Sequence, residues 1–171
     1  MARVLILGLG NILFRDEGLG VRAVERLSQT YLLPPEIKVC DGDCLGLELL
    51  PRLEGVRRLI VVDAGDTHKS PGTIERLEGD EVASRWEWRL SAHEAGLTDL
   101  LSAAALVGYR FEKLVLFIMQ PEVVALGLEL SPAVQKALPQ LVRRMAGELG
   151  AWGVSLQRIQ QPENPPAASG R

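Results

Sequence analysis

Val4-Leu5-Ile6-Leu7-Gly8-Leu9-Gly10-Asn11-Ile12-Leu13-Phe14-Arg15-Asp16-Glu17-Gly18-Leu19-Gly20 is the stretch that decides the fold. Val4 to Leu7 is a short continuous apolar run, the pattern of a strand buried on both faces. Gly8 and Gly10 follow and are expected to release the backbone into a tight turn. Asn11 to Arg15 then read as a loop, and Asp16-Glu17 stand where a helix begins. Strand, glycine turn and helix in that order open an α/β sheet. The loop is expected to offer solvent a pair of carboxylates.

The rest of the chain continues the alternation. Gly20 to Leu27 carries apolar residues at helical spacing, and that helix must end before Leu33-Pro34-Pro35. Glu36 to Val39 reads as a second strand leading into Cys40-Asp41-Gly42-Asp43-Cys44, and Leu45 to Leu53 as a short helix. Val56 to Asp63 is the clearest buried strand, β-branched and closed by an acid. Thr73 to Leu77 is half-polar and reads as an edge strand. Ser91-Ala92-His93-Glu94 has the spacing of a capping box for a helix running to Gly108. Lys113 to Met119 is another buried strand. Ser131-Pro132 caps a last helix, whose apolar stripe runs from Val134 to Leu149; Pro139 inside it is expected to kink or split it. Strands alternating with helices predict a mostly parallel sheet covered on both faces, with functional residues at the strands' C-terminal ends.

At 171 residues the chain is expected to be a single domain over residues 1–155, with a disordered tail at 160–171. A net charge of −3 argues against nucleic acid or an anionic membrane as a partner. Two cysteines, Cys40 and Cys44, make no secreted disulfide framework. They flank an acidic turn, but ordinary semi-buried thiols are the plainer reading. No apolar run approaches the ~20 residues of a membrane span, and the cytoplasm is the expected compartment.

Glu17, Asp63 and His93 fall at strand ends or helix starts. Two carboxylates and an imidazole form a donor set for a divalent ion such as nickel, zinc or manganese. Each also has a plain structural reading as a helix-start acid or capping residue. His68 is taken as a solvated loop residue. The Gly8-x-Gly10 spacing, with Asp41 closing the second strand, also admits a dinucleotide-binding reading. Leu13 stands where a third glycine belongs, however, and Glu17 would repel a pyrophosphate. There is no G-x-S-x-G elbow, and Leu97 replaces the second histidine of H-E-x-x-H.

Gly8 to Arg22 resembles the N-terminal motif of the [NiFe]-hydrogenase maturation endopeptidases. Val61-Val62-Asp63-Ala64 resembles their second motif, and Ser91-Ala92-His93 their third. Gln120-Pro121 and Gly127 to Pro132 are similar to their C-terminal region, so the likeness spans about residues 2 to 150. The resemblance implies a three-layer α/β/α sandwich on a five-stranded, mostly parallel sheet with one antiparallel strand, for which Thr73 to Leu77 is the candidate. It implies removal of a C-terminal extension from a hydrogenase large-subunit precursor that already holds nickel. Glu17, Asp63 and His93 would contact that Ni²⁺, which the substrate supplies, and no separate cofactor is expected. Asp41 would face the cleft as a substrate-recognition residue. Asp43-Cys44 stand where the family often has Gly-Thr. A monomer is expected. Gly8-Leu9-Gly10-Asn11 is also similar to the opening of the peptidyl-tRNA hydrolases, but the usual proline does not follow Asn11.

Overall fold

In the computed structural model, which describes residues 3–43, 46–82 and 92–160, the opening apolar run is strand β1 (Arg3–Leu9). A one-turn 3-10 helix (Arg15–Gly18) and helix α1 (Leu19–Thr30) follow. Next come β2 (Tyr31–Leu32), β3 (Ile37–Asp43), a 3-10 helix (Gly46–Leu53), β4 (Val56–Ala64) and β5 (Ile74–Glu78). Helix α2 (Ala92–Leu106), β6 (Lys113–Met119), α3 (Pro132–Ala151) and β7 (Gln157–Arg158) complete the order.

Five strands form one sheet in the order β3-β1-β4-β6-β5. β1 runs parallel to β3 and β4, and β4 parallel to β6; β5 alone runs antiparallel, paired with β6. The antiparallel edge strand is the one expected at Thr73 to Leu77, shifted by one residue. Alternate residues of β1 enter opposite cores, as the pleat requires. Val4 and Ile6 pack with α1 and α3 through Leu19, Val24, Leu141 and Met145. Leu5, Leu7 and Leu9 face the other layer, with Leu49, Leu53, Leu97 and Leu100. The result is the expected three-layer α/β/α sandwich. No described helix is long and apolar enough to cross a membrane.

Three expectations are corrected. Gly8 is not in a turn: β1 continues to Leu9, and Gly8 pairs with Asp41 on one side and Val62 on the other. β3 likewise runs on to Asp43, because Gly42 is buried against the Leu7 and Leu9 side chains, where a Cβ would come within 2.8 Å of each. Pro139 does not split the last helix, which is continuous from Pro132 to Ala151. Pro139 and Gln135 are both exposed, so water can solvate the carbonyl that the missing N–H leaves open. A small antiparallel pair, Tyr31↔Arg158 and Leu32↔Gln157, joins β2 to β7. Its two-residue strands are too short for a readable hydrophobic period. The Ser91 cap, Cys44 and residues 161–171 of the expected tail lie outside the described residues.

Candidate active site

The chain runs from β1 to β3 on one side and then crosses back to β4 on the other. The reversal opens a crevice outside the carboxyl ends of β1 and β4, where open α/β sheets carry their ligands. The 3-10 turn bearing Glu17 follows β1, and Asp63 is the penultimate residue of β4. Topology therefore brings these two acids to one place.

Close backbone packing holds them there. A Cβ at Gly8 would lie 2.5 Å from the Gly20 carbonyl oxygen, and one at Gly20 would lie 2.3 Å from that of Val62. Only glycines let the start of α1 rest this tightly on β1 and β4. Gly10 has φ +111°; a Cβ there would lie 1.8 Å from the Glu17 carbonyl oxygen and 3.7 Å from Asp63 Oδ1. Gly10 is thus the point where the strand end, the Glu17 turn and the Asp63 carboxylate meet. The glycine spacing that admitted a dinucleotide cradle is used up by packing.

Asp63 is 2% exposed, and its Oδ1 accepts the Ala64 N–H at 2.8 Å. The loop behind it is tied to the end of β6. Gly65 N–H donates to the Met119 carbonyl at 3.1 Å. Gln120 Oε1 accepts the N–H of buried Thr67 at 2.6 Å and its hydroxyl at 3.0 Å. Glu17 is half-buried.

Asp16 is not the solvent-facing carboxylate expected from its place beside Glu17. It is 0% exposed. Its Oδ2 accepts the N–H groups of Glu122 at 2.9 Å and Val123 at 2.8 Å, and the Ser131 hydroxyl at 2.7 Å; Oδ1 accepts the Ser131 N–H at 2.7 Å. Burial opposes ionisation, but the bonds from Ser131, Val123 and Glu122 outweigh it and hold the carboxyl below its ordinary range. Ser131 also caps α3, accepting the Val134 N–H at 3.4 Å. The cap is legible in Ser131-Pro132, whereas the hydroxyl's bond to Asp16 joins positions 115 residues apart and leaves no local signal. Further bonds stitch the first loop to the 120–131 strap: Gly127 N–H to the Leu13 carbonyl at 2.8 Å, and Arg15 N–H to the Gly127 carbonyl at 2.9 Å. Leu13, Phe14, Val124, Leu126 and Leu128 remain exposed on these joined loops, an apolar rim beside the crevice.

The other candidates are placed as follows. Asp41 is exposed on edge strand β3, opposite Gly8. Cys40 is a buried free thiol whose ionisation burial pushes up; its Sγ lies 3.3 Å from the Asp41 carbonyl. His68 is an exposed loop residue with Nδ1 3.2 Å from Asp66 Oδ2. His93 belongs to the first turn of α2, while its side chain lies outside the described residues. The start of α2 is brought against the segment following β3: a Cβ on Gly96 would sit 3.4 Å from the Gly46 Cα. Among the described residues no three His, Cys, Asp or Glu side chains form a metal-sized group, and of the expected triad only the Glu17 and Asp63 side chains are among them.

A three-layer α/β/α domain with two acids at its switch point belongs to the open α/β class that works outside the strand ends. Residues 21–148 match the family model described as hydrogenase maturation protease, a span that takes in Asp41, Asp63 and His93. The chain belongs to that protease family. It is 40% identical over 158 residues to the hydrogenase expression/formation protein HupD of Rhodobacter capsulatus, covering 91% of this chain and 75% of that protein. It is 37% identical over 153 residues to the hydrogenase 2 maturation protease of Escherichia coli, covering 89% and 93%. The structure of the hydrogenase maturating endopeptidase HybD from E. coli superposes with a TM-score of 0.87 at 36% identity, over 91% of this chain and 97% of that one.

Proposed function

We propose that the chain is the endopeptidase that removes the C-terminal extension of a nickel-loaded [NiFe]-hydrogenase large-subunit precursor. The observation that carries this reading is the meeting of the Glu17 backbone and the Asp63 carboxylate around Gly10, at the switch point of a maturation-protease fold. Glu17, Asp63 and His93 contact the nickel held by the substrate. Two carboxylates and an imidazole match the donor preference of that ion. Docking on a metal already fixed in the precursor orients the adjacent peptide bond in the crevice, so positioning is a large part of the catalysis. Asp41, at the edge of the same sheet, contributes to substrate recognition. The apolar rim at Leu13, Phe14 and Leu126 suits a protein partner, since exposed apolar surface beside a site is typical of interaction faces. The protease works as a cytoplasmic monomer on a domain spanning residues 1–155, with nickel arriving only as part of its substrate.

The test is incubation with nickel-loaded and nickel-free precursor, followed by mass spectrometry. Loss of the C-terminal peptide from the nickel-loaded form alone supports the proposal. No cleavage of the cognate precursor by the wild-type chain defeats it.

A further inference from the structure

We propose that Asp16 is a positioning residue for Glu17, acting through a clamp with Ser131 that sets where the Glu17 turn sits relative to Asp63. The inference rests on Glu17 being a substrate-nickel contact. In a 3-10 helix successive side chains diverge by about 120°, so adjacent acids cannot face the same way. Asp16 turns inward to the 120–131 strap and is wholly buried, and Glu17 is half-buried at the crevice.

A continuous set of bonds connects the two acids of the site. From Asp63 the chain passes to Gly65 and Thr67, which bond to Met119 and Gln120. The strap then leaves β6 and delivers the Glu122, Val123 and Ser131 N–H groups, with the Ser131 hydroxyl, onto the Asp16 carboxylate. Asp16 N–H returns a bond to the Val123 carbonyl at 3.2 Å, and Arg15 Nε donates to the Glu129 carbonyl at 3.1 Å. On the sheet side Gly10 presses against the Glu17 carbonyl. Glu17 is held between these two supports. Only a carboxylate can serve here, because both oxygens meet donors. An asparagine amide would set its NH₂ against either Ser131 N–H or the three donors on Oδ2.

The test uses the full chain with Ser131→Ala and Asp16→Asn. Amide hydrogen exchange is followed at residues 15–18 and in β1 and β4. Cleavage of nickel-loaded precursor is measured for kcat and KM below each variant's melting temperature. Exchange at 15–18 is expected to rise about tenfold with β1 and β4 unchanged, as a local opening requires. kcat/KM should fall by roughly tenfold or more, the scale of a sub-ångström to ångström misplacement. Should Asp16→Asn fail to fold, Ser131→Ala decides, since it keeps the Ser131-position N–H on Oδ1. A folded Ser131→Ala with wild-type kcat/KM overturns the proposal. So does exchange that rises equally in β1 and β4, which marks a purely structural bond. If the wild-type chain leaves the precursor intact, the protease reading fails, while exchange at 15–18 still decides whether Asp16 holds the Glu17 turn.

Discussion

Replacing Gly10 by alanine tests the site's construction most sharply. The backbone there has φ +111°, outside the range comfortable for a side chain, which costs on the order of 1–3 kcal/mol. The new methyl would also start 1.8 Å from the Glu17 carbonyl oxygen, whereas real Cβ contacts essentially never fall under 3.0 Å. The obstacle is backbone, so no rotamer change relieves it. Glu17 must retreat by roughly 1 Å, and misplacement on that scale can cost about 100-fold in rate. Gly153→Ala supplies the control. It has φ +83° but nothing within 4 Å of a Cβ, and it lies beyond the end of α3. It should lose about 1–2 kcal/mol from left-handed strain alone and keep full cleavage. Melting curves and a precursor-cleavage time course on both variants give the comparison. A folded Gly10→Ala that cleaves at the wild-type rate would refute the reasoning, as would an equal loss of cleavage in Gly153→Ala.

Three further outcomes follow from particular contacts. Asp16 is held below its ordinary pKa, so its stabilising contribution is fully present above the unfolded value of about 3.9 and is lost as pH falls through the lower folded value. Urea midpoints measured from pH 6 to pH 3 should drop below about pH 4, and Asp16→Asn should lack that component; identical slopes would contradict it. Pro139→Ala restores a helical N–H opposite the Gln135 carbonyl on an exposed face and should stabilise by about 1–3 kcal/mol with cleavage unchanged, read as a higher melting temperature. Gln120→Ala strips the acceptor from two donors of buried Thr67 and should cost about 1–3 kcal/mol in guanidinium unfolding; an unchanged midpoint would show that water replaces the amide without loss.

The sheet was readable because its signals are local. The apolar runs at Val4 to Leu7, Val56 to Asp63 and Lys113 to Met119 all became parallel strands. The half-polar Thr73 to Leu77 marked an edge strand, and the family resemblance implied its antiparallel direction. Glu17 and Asp63 were legible as a pair because strand ends share one edge in such a topology. What escaped depends on partners far along the chain. Asp16 and Ser131 are separated by 115 positions, and no period links an acid in one loop to a serine before another helix. Gly8 read as a turn residue because glycine usually marks one. Its actual task, admitting Gly20 to the strand backbone, is visible only after α1 folds back. The doublet Asp16-Glu17 did carry a usable hint, since successive side chains of a tight 3-10 turn diverge by about 120°, which favours one acid inward and one outward.

The most direct measurement is mass spectrometry of nickel-loaded large-subunit precursor after incubation with wild type, Glu17→Gln and Asp63→Asn. Each variant is first checked for a folded state by its melting curve. Wild type is expected to release the C-terminal peptide, and both neutral variants, folded, to leave the precursor essentially intact. Full cleavage by a folded Glu17→Gln would contradict the role given to that carboxylate and, with it, the assignment of the crevice as the site that engages substrate nickel.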